Sequence, residues 1–200
     1  MNVGNRLRIE GKIFFSNQHE HFVEHLTELK NSKIIPYQKA FIKHKISRQV
    51  INRNFSDLSF ENFFSYNIFP SSILTAYGQW EAERRTMQLG DTIVQQINIP
   101  PFNRLSQKLI VGVRIKEVFN SDGCKGFSYE TLRGHVEKGI STFRIEPQKS
   151  SSAFTIETYS APAMPLLKLF GPFSSLYQDY CTNKALKNVA TNAMPKTSLI

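Results

Sequence analysis

The chain is predicted to fold as an α+β domain, in which a long C-terminal helix covers an antiparallel sheet of about six or seven strands. From residue 74 to residue 160, apolar residues mostly alternate with polar ones, which is typical of strands that bury one face. From residue 166 to residue 193 the apolar spacing becomes helical, with a break at Gly171-Pro172. No other segment is long enough to cover the apolar face of such a sheet.

Composition excludes several classes of protein. The 200 residues are 40% hydrophobic and 12% aromatic, enough for a packed core, so a disordered chain is excluded. No apolar run approaches the length of a membrane span, and the first twenty residues lack the apolar centre of a secretory signal. The cysteines, Cys124 and Cys181, form no C-x-x-C pair. We therefore expect a cytoplasmic protein with free thiols.

The first half of the chain is predicted to be mixed in structure. Residues 17–30 place Phe22, Leu26 and Leu29 on one helical face, within an N-terminal helical extension that spans residues 1–35. Residues 40–51 are typical of an exposed strand, and a short aromatic helix follows Ser56 or Asp57. One domain should then occupy residues 36–193, with a disordered tail over residues 194–200.

Six segments of the second half are predicted strands. They are residues 74–84, 91–99, 108–119, 126–132, 139–146 and 153–160. The pattern is clearest in residues 108–119, where one face should carry Leu109, Val111, Val113, Ile115 and Phe119, and the other Lys108, Arg114 and Lys116. The segment Asn120-Ser121-Asp122-Gly123 that follows has the sequence of a hairpin turn.

Three blocks carry a resemblance to a known family. They are GFSYETLRGHVEKGISTFRIE from Gly126, FTIETYSAPA from Phe154 and LLKLFGPFSSLYQDYCTNKAL from Leu166. Over about residues 40–190 the chain resembles the DUF1990 family, a domain of unknown function. The resemblance implies a relative of the START-like and birch-pollen-allergen-like helix-grip proteins, in which a curved sheet wraps around a long C-terminal helix. It implies no settled activity.

A loop between two predicted strands is the first candidate site. Tyr129, His135 and Glu137 can hold a polar ligand group there, and His135 can exchange protons near neutral pH. Alternatively, His135 and Glu137 hydrogen-bond the backbone and hold a long hairpin turn. No nucleophile accompanies these residues, so no catalytic residue is assigned.

The segment His21-Phe22-Val23-Glu24-His25 matches the H-x-x-E-H pattern of some zinc proteases. His21 and His25 would share one face of a helix one turn apart. No third-ligand motif follows, and the polar face of an amphipathic helix has the same pattern. We therefore reject a metalloprotease but leave adventitious metal binding open, and we assign no metal-binding residue and no cofactor.

The aromatic residues form the second candidate site. They can line an apolar pocket or fill a core, and the alternating pattern does not distinguish these outcomes. The set is Phe60, Phe63, Phe64, Tyr66, Phe69, Tyr77, Trp80, Phe127 and Tyr159. In the pocket interpretation Arg114 and Glu157 pair within a partly polar concave face; in the core interpretation both face solvent. The candidate ligand-binding residues are Trp80, Arg114, Tyr129, His135, Glu137, Glu157 and Tyr159.

The formal net charge of +9 does not indicate nucleic-acid binding. Residues 1–55 carry +6 and residues 161–200 carry +3, while the strand-rich middle is neutral. Lys39, Lys43, Lys45, Arg48 and Arg53 can form a basic stripe, but lysines also protect exposed strand edges from pairing. Nucleic acid is therefore an improbable partner, and the oligomeric state is not predicted.

Three functions follow from these observations. The preferred one is binding of a small, largely apolar ligand between the sheet and the C-terminal helix. The second is an enzyme that uses the same cavity with a His/Glu acid-base pair, His135 and Glu137. The third is an interaction protein whose basic ends bind an acidic partner.

Overall fold

The computed structural model describes residues 12–100, 106–163 and 171–193, with the side chains of the last range described from Tyr177 onward. Within these residues eight strands form one curved antiparallel sheet, in the order β2-β8-β7-β6-β5-β4-β3, with β1 paired to β5. The strands are β1 (Lys12–Phe14), β2 (Lys43–Ile51), β3 (Leu74–Gly78), β4 (Thr92–Ile99), β5 (Gln107–Ser121), β6 (Cys124–Thr131), β7 (Glu137–Pro147) and β8 (Ser152–Pro162). The helices are α1 (Phe22–Lys30), α2 (Glu61–Phe64), α3 (Gln79–Ala82) and α4 (Gly171–Asn192). The predicted α+β class is confirmed.

The strands of the second half pair through successive hairpins, as their alternation predicts. The first of them is shorter than predicted, since the strand expected over residues 74–84 ends at Gly78 and helix α3 follows it. The β5–β6 hairpin turns at the predicted site, with Ser121 opposite Cys124. A register shift between Ile115 and Glu117 then interrupts the alternation of β5, so that Val118 lies opposite Phe127 and packs against the core. The prediction that Phe119 shares a face with Ile115 is wrong, because a β-bulge moves the next apolar position by one residue.

The sheet has two covered faces. The inner face packs against α4 and the segment that contains α2, and it includes the buried side chains of Phe127, Phe143 and Phe154. The outer face packs against α1, where Phe22 and Leu26 contact Val94 and Ile110. Val94 belongs to β4 and Ile110 to β5. These two strands therefore bury side chains on both faces of the sheet.

Residues of the N-terminal extension join the sheet. Strand β1 pairs with β5 through Lys12 and Ile110, beside the part of β5 that β6 leaves unpaired. Helix α1 begins at Phe22, after a 3₁₀ turn over His19–His21, and its last carbonyls accept hydrogen bonds from Arg114 of β5. The arginine charge is favourable at this end of the helix, where the backbone dipole is negative.

Helix α4 covers the edge of the inner face formed by β2 and β8. Ala185, Leu186 and Val189 are buried on one side of the helix, at the helical spacing that its sequence predicts. The predicted helical segment 166–170 and the predicted tail 194–200 lie outside the described residues. No helix in the described ranges has the length and apolar character needed to span a bilayer.

The predicted basic stripe lies on and beside β2, an edge strand of the sheet. Successive side chains of a strand point to opposite faces, so Lys45 and Arg48 diverge. Lys45 turns towards α4 and forms an ion pair with Asp179. Lys43 shares the face of Lys45 and also acts on Asp179, whereas Arg48 lies on the other face, so the three cations of β2 do not form one stripe.

Candidate functional site between the sheet and the C-terminal helix

The inner face divides into two halves of different chemistry. The apolar half consists of the clustered rings of Phe63, Phe127, Phe143 and Phe154. We call the polar half the neighbouring set that runs from the inner face to α4, which comprises Gln95, Tyr129, Glu137, Ser141, Tyr177, Gln178 and Cys181. Tyr66 and Tyr129 stand at the boundary, with ring centroids 6.0 Å apart.

The apolar half is filled with side chains. The ring centroids of Phe63 and Phe127 are 5.4 Å apart, as are those of Phe127 and Phe143, and Phe154 meets Phe63 edge to face at 5.7 Å. Phe127, Phe143 and Phe154 are each no more than 1% exposed. In this half the aromatic residues form a packed core rather than a pocket.

The polar half contains a chain of hydrogen-bonded hydroxyl and amide groups. The Gln95 side-chain amide donates to the Tyr66 hydroxyl at 2.7 Å, and that hydroxyl donates to the Tyr129 hydroxyl at 3.3 Å. Tyr129 also bonds to Ser141, its partner across the β6–β7 pair. Burial raises the pKa of both tyrosines, so these hydroxyls stay protonated and keep both donor and acceptor capacity.

Glu137 brings a titratable carboxyl group to the polar half. It is the first residue of β7, and its carboxylate accepts a hydrogen bond from the Gln178 amide on α4. Burial raises the pKa of Glu137 to about 7, and the positive charge of Lys43 opposes that rise. Near neutral pH this group therefore exists in both its acidic and its basic form, as an exchanger of protons requires.

Two further side chains of α4 border the same region. The Tyr177 hydroxyl donates to the backbone carbonyl of Asn98 at 2.9 Å, which ties α4 to the end of β4. Burial raises the pKa of the Cys181 thiol to about 11. This thiol is therefore protonated at neutral pH and is not an activated nucleophile.

His135 forms its hydrogen bond within its own loop. Its Nδ1 accepts a hydrogen bond from the backbone N–H of Glu137 at 3.0 Å, and Gly134 before it adopts a positive φ of 90°. Burial lowers the pKa of His135 to about 4, so the ring is neutral. This contact is the one that the hairpin-turn interpretation predicts, and the ring does not bond to the Glu137 carboxylate. A ligand-binding role for His135 stays a prediction.

Arg114 and Glu157 lie on the outer face. Arg114 donates to the carbonyls of Lys30 at 2.9 Å and Leu29 at 3.1 Å, while Glu157 accepts from His44 at 3.0 Å. The predicted pairing of Arg114 with Glu157 inside a concave face is wrong. Each residue alternates with inward-facing neighbours, so the pleat directs both away from α4.

Trp80 and Tyr159 are also placed outside the polar half. Trp80 of α3 is buried in the core beside Gly78, where an added Cβ would lie 2.5 Å from the indole ring. Tyr159 stacks on His44 at a centroid distance of 4.2 Å on the outer face. Of the seven predicted site residues, the structure brings together Tyr129 and Glu137 in the polar half and sets His135 in the adjoining loop.

The sequence reasoning missed the contribution of α4. Gln178 and Cys181 precede the buried Ala185 by seven and four residues, which places them on the same helical face. A polar residue on an otherwise apolar helical stripe is a signal for a buried polar site. Gln95 carries a weaker signal, since it lies between the inward-facing Ile93 and Ile97 of β4 and is itself buried.

The two histidines of the H-x-x-E-H segment lie in different environments. His21 belongs to the turn before α1 and is exposed, whereas His25 faces the sheet and is buried. The two rings therefore do not share a helical face. Across the described ranges, no group of three or more His, Cys, Asp or Glu side chains is placed to hold a metal ion.

Comparisons with known proteins agree with the fold. The model of the family described as "Domain of unknown function (DUF1990)" matches residues 60–188, which confirms the resemblance noted in the sequence. No curated protein matches the chain. A hypothetical protein of Helicobacter pylori is 8% identical, with a TM-score of 0.50 over 80% of this chain and 96% of that one.

Two other solved structures are similar. A protein from Arthrobacter aurescens is 7% identical, with a TM-score of 0.50 over 82% of this chain and 96% of that one. A major latex-like protein from ginseng, Panax ginseng, is 11% identical, with a TM-score of 0.47 over 76% of this chain and 98% of that one. At such low identities the likeness concerns the fold and not the function.

Proposed function

We propose that this chain, which belongs to the DUF1990 family, binds a small, largely apolar ligand between the sheet and the C-terminal helix. The observation that supports the proposal is the polar half of the inner face. There Glu137 and Gln178 meet between β7 and α4, on the same face as Tyr129, whose pKa is raised by burial and also by the charge of Glu137. These groups are suited to the polar end of a ligand whose remainder is apolar.

The polar half is costly for a protein that needs only to fold. A pKa raised from 4.5 to about 7 means that the ionised carboxylate of Glu137 is disfavoured in the folded state. By linkage this corresponds to about 3 kcal/mol at pH values above 7. An apolar side chain at this position would avoid that cost. Retention of a carboxyl group is accounted for if it binds a ligand.

The hydrogen-bonding groups of the polar half also determine which polar group a ligand should carry. The Tyr129 hydroxyl can donate or accept, and the Glu137 carboxyl accepts when ionised. A ligand with a hydroxyl or amine group at one end would suit either residue. Its apolar remainder would extend towards the boundary with the apolar half, where the Tyr66 ring lies.

Two measurements test this proposal. Native mass spectrometry of the purified protein would show a co-purifying small molecule. Titration with the neutral apolar dye N-phenyl-1-naphthylamine, followed by fluorescence, would show whether the interior accepts an apolar ring system.

Ser141→Trp and Thr142→Trp form a matched pair for the dye titration. Ser141 points inward opposite Tyr129, whereas Thr142 is the next residue of β7 and points outward opposite Ser128. We expect S141W to weaken dye binding at least tenfold, since the indole fills the polar half, and T142W to leave it unchanged. Equal affinities for both variants, or no dye binding by the wild type, would exclude the proposed site.

Acid-base catalysis in the same place is a second candidate function, favoured by the carboxyl group of Glu137. Its contact with Gln178 and its pKa of about 7 suit a group that gives and takes a proton. In this version Glu137 acts with Tyr129 as an orienting donor, while His135 holds the loop. Conversion of the co-purified molecule, with a rate that changes around pH 7 and is lost in Glu137→Gln, would support it. Release of that molecule unchanged would leave binding alone.

A further inference from the structure

A cleft of about 370 Å³ opens on the outer face of the sheet, on the opposite side from α4. We call it the outer cleft. It lies between the end of α1 and strand β5, and its lining includes Lys12, His25, Glu28, Lys33, Arg133 and Gly134. Its volume falls in the range of sites for small organic molecules.

The topology of the sheet creates this opening. Strand β1 pairs with β5 up to Lys12 and Ile110, while β6 pairs with β5 from Val113 onward. The chain after α1 crosses the gap and is fixed on the far side by the bridge between Ile34 and Leu132. The outer cleft is therefore bounded by β1 and β6, which both pair with β5, and by the chain after α1, which is bridged to Leu132 just after β6.

The outer cleft carries an excess of positive charge. Lys12 is paired with Glu28, which neutralises both residues. The backbone N–H of Arg133 donates to the carbonyl of Lys33 at 2.9 Å, so these two residues lie side by side. Neither of their side chains has an acidic partner in the part of the chain that the structure describes. An anion between them would relieve the repulsion of two like charges.

The end of α1 does not cancel this charge. A helix C-terminus carries a partial negative charge, which by itself repels anions. Here the guanidinium of Arg114 donates to the carbonyls of Leu29 and Lys30 and offsets that charge. The side of the outer cleft formed by the helix end is thus compensated.

A buried histidine in the lining has an unused hydrogen-bonding atom. The His25 ring is 7% exposed and packs on Phe14 at a centroid distance of 5.6 Å, and its Nε2 has no hydrogen-bond partner among the residues that the structure describes. Burial of an unsatisfied polar atom destabilises the fold. A bound molecule would supply the missing partner.

We propose that the outer cleft binds a small organic anion, with its carboxylate or phosphate group between Lys33 and Arg133 and a hydrogen bond to Nε2 of His25. Both anionic groups accept hydrogen bonds from Arg and Lys in the same way, so the cleft's chemistry admits either. This site is separate from the polar half and does not depend on the ligand proposed there.

Titration of the full chain with two probes, benzoate and inorganic phosphate, tests the proposal. The readout is the imidazole chemical shift of His25 in a ¹H–¹⁵N NMR spectrum. We expect a saturable shift with at least one probe and an affinity that falls as sodium chloride is added. Saturation by benzoate alone identifies a carboxylate site, and saturation by phosphate alone identifies a phosphate site. No saturable shift with either probe would overturn the proposal.

Charge-removing variants locate the binding group. Lys33 and Arg133 are exposed, so Lys33→Gln and Arg133→Gln should fold as the wild type does. Each is expected to weaken binding at least fivefold, whereas Lys149→Gln, which removes one exposed charge from the β7–β8 turn, should leave it within twofold. Equal weakening by all three variants would show attraction by net charge only and overturn the site. Since S141W does not touch the outer cleft, its effect on dye binding is read independently.

Discussion

The two halves of the inner face differ in how well the stability of the fold explains the residues that they contain. The apolar half contains residues that burial favours, and its rings contact one another at distances typical of stabilising aromatic pairs. The polar half is buried by the same sheet and the same helix, yet its Glu137 and Gln178 gain less from burial than apolar residues would. The apolar half therefore contributes to folding, whereas the polar half contains groups whose burial is costly.

The largest expected change in stability is that of a substitution in the apolar half. Phe127→Ala removes a fully buried ring that contacts Phe63 and Phe143. We expect it to lower the free energy of unfolding by about 3–5 kcal/mol, measured by urea denaturation, because it leaves a cavity in a packed cluster. Phe41→Ala, at a residue that is 81% exposed, is the control and should change that free energy by less than about 0.5 kcal/mol. A loss below about 1 kcal/mol for F127A would show that the apolar half is not the main core.

The next largest effect has the opposite sign and belongs to the polar half. A carboxyl whose pKa is raised on folding binds its proton more tightly in the folded state, so its unfavourable contribution appears as pH rises from 4.5 to about 7. Glu137→Gln removes that contribution and keeps an amide near Gln178. We expect E137Q to raise the free energy of unfolding by up to about 3 kcal/mol at pH 8 and by little at pH 4, measured by urea denaturation at both values.

Glu117→Gln is the matched control for this pH dependence. Glu117 is an exposed residue of β5, so its substitution should change the free energy of unfolding by less than about 0.5 kcal/mol at either pH. If E137Q instead destabilises the protein at pH 8, Glu137 serves the fold, and the contrast between the two halves is lost. If E137Q stabilises it and weakens binding of the co-purified molecule, stability has been exchanged for function.

The alternating pattern of apolar and polar residues predicts the strands of the sheet, but it does not predict the bulge in β5. Leu109 to Ile115 obey the period of two, because each lies opposite a residue of a regularly paired neighbour. After Ile115 the pairing moves by one residue, and Val118 rather than Phe119 meets the core. The insertion of one residue into a strand depends on its partner strand, so no pattern within β5 alone reveals it.

The candidate site was predictable only in part, for a related reason. Tyr129 and Glu137 stand in one conspicuous block of sequence, and the structure places both in the polar half. Gln178 lies 41 residues beyond Glu137 and meets it only because α4 folds back over the sheet. Arg114 shows the opposite error, since a charged residue inside an apolar strand suggested a concave site, whereas it binds the end of α1. Contacts between distant elements are set by packing, which periodicity does not report.

The smallest effect concerns the boundary between the halves. Tyr66→Phe removes a hydroxyl that accepts from Gln95 and donates to Tyr129, while its ring still packs against Phe127. The Gln95 amide loses one acceptor in a buried site, so we expect the free energy of unfolding to fall by about 1–2 kcal/mol, measured by urea denaturation. Phe64→Leu, which changes an apolar contact on the same segment, is the control for dye binding because it leaves every hydroxyl in place.

The same variant tells whether the two halves act separately. If the hydrogen-bonded chain only supports the fold, Y66F should leave the affinity for N-phenyl-1-naphthylamine unchanged, as F64L should. If the chain orients Tyr129 towards a ligand, Y66F should weaken binding of the co-purified molecule more than binding of the dye, since the dye makes no use of an oriented hydroxyl. Equal losses for both molecules would show instead that the Tyr66 hydroxyl supports the binding space as a whole and does not specifically orient Tyr129 towards a ligand.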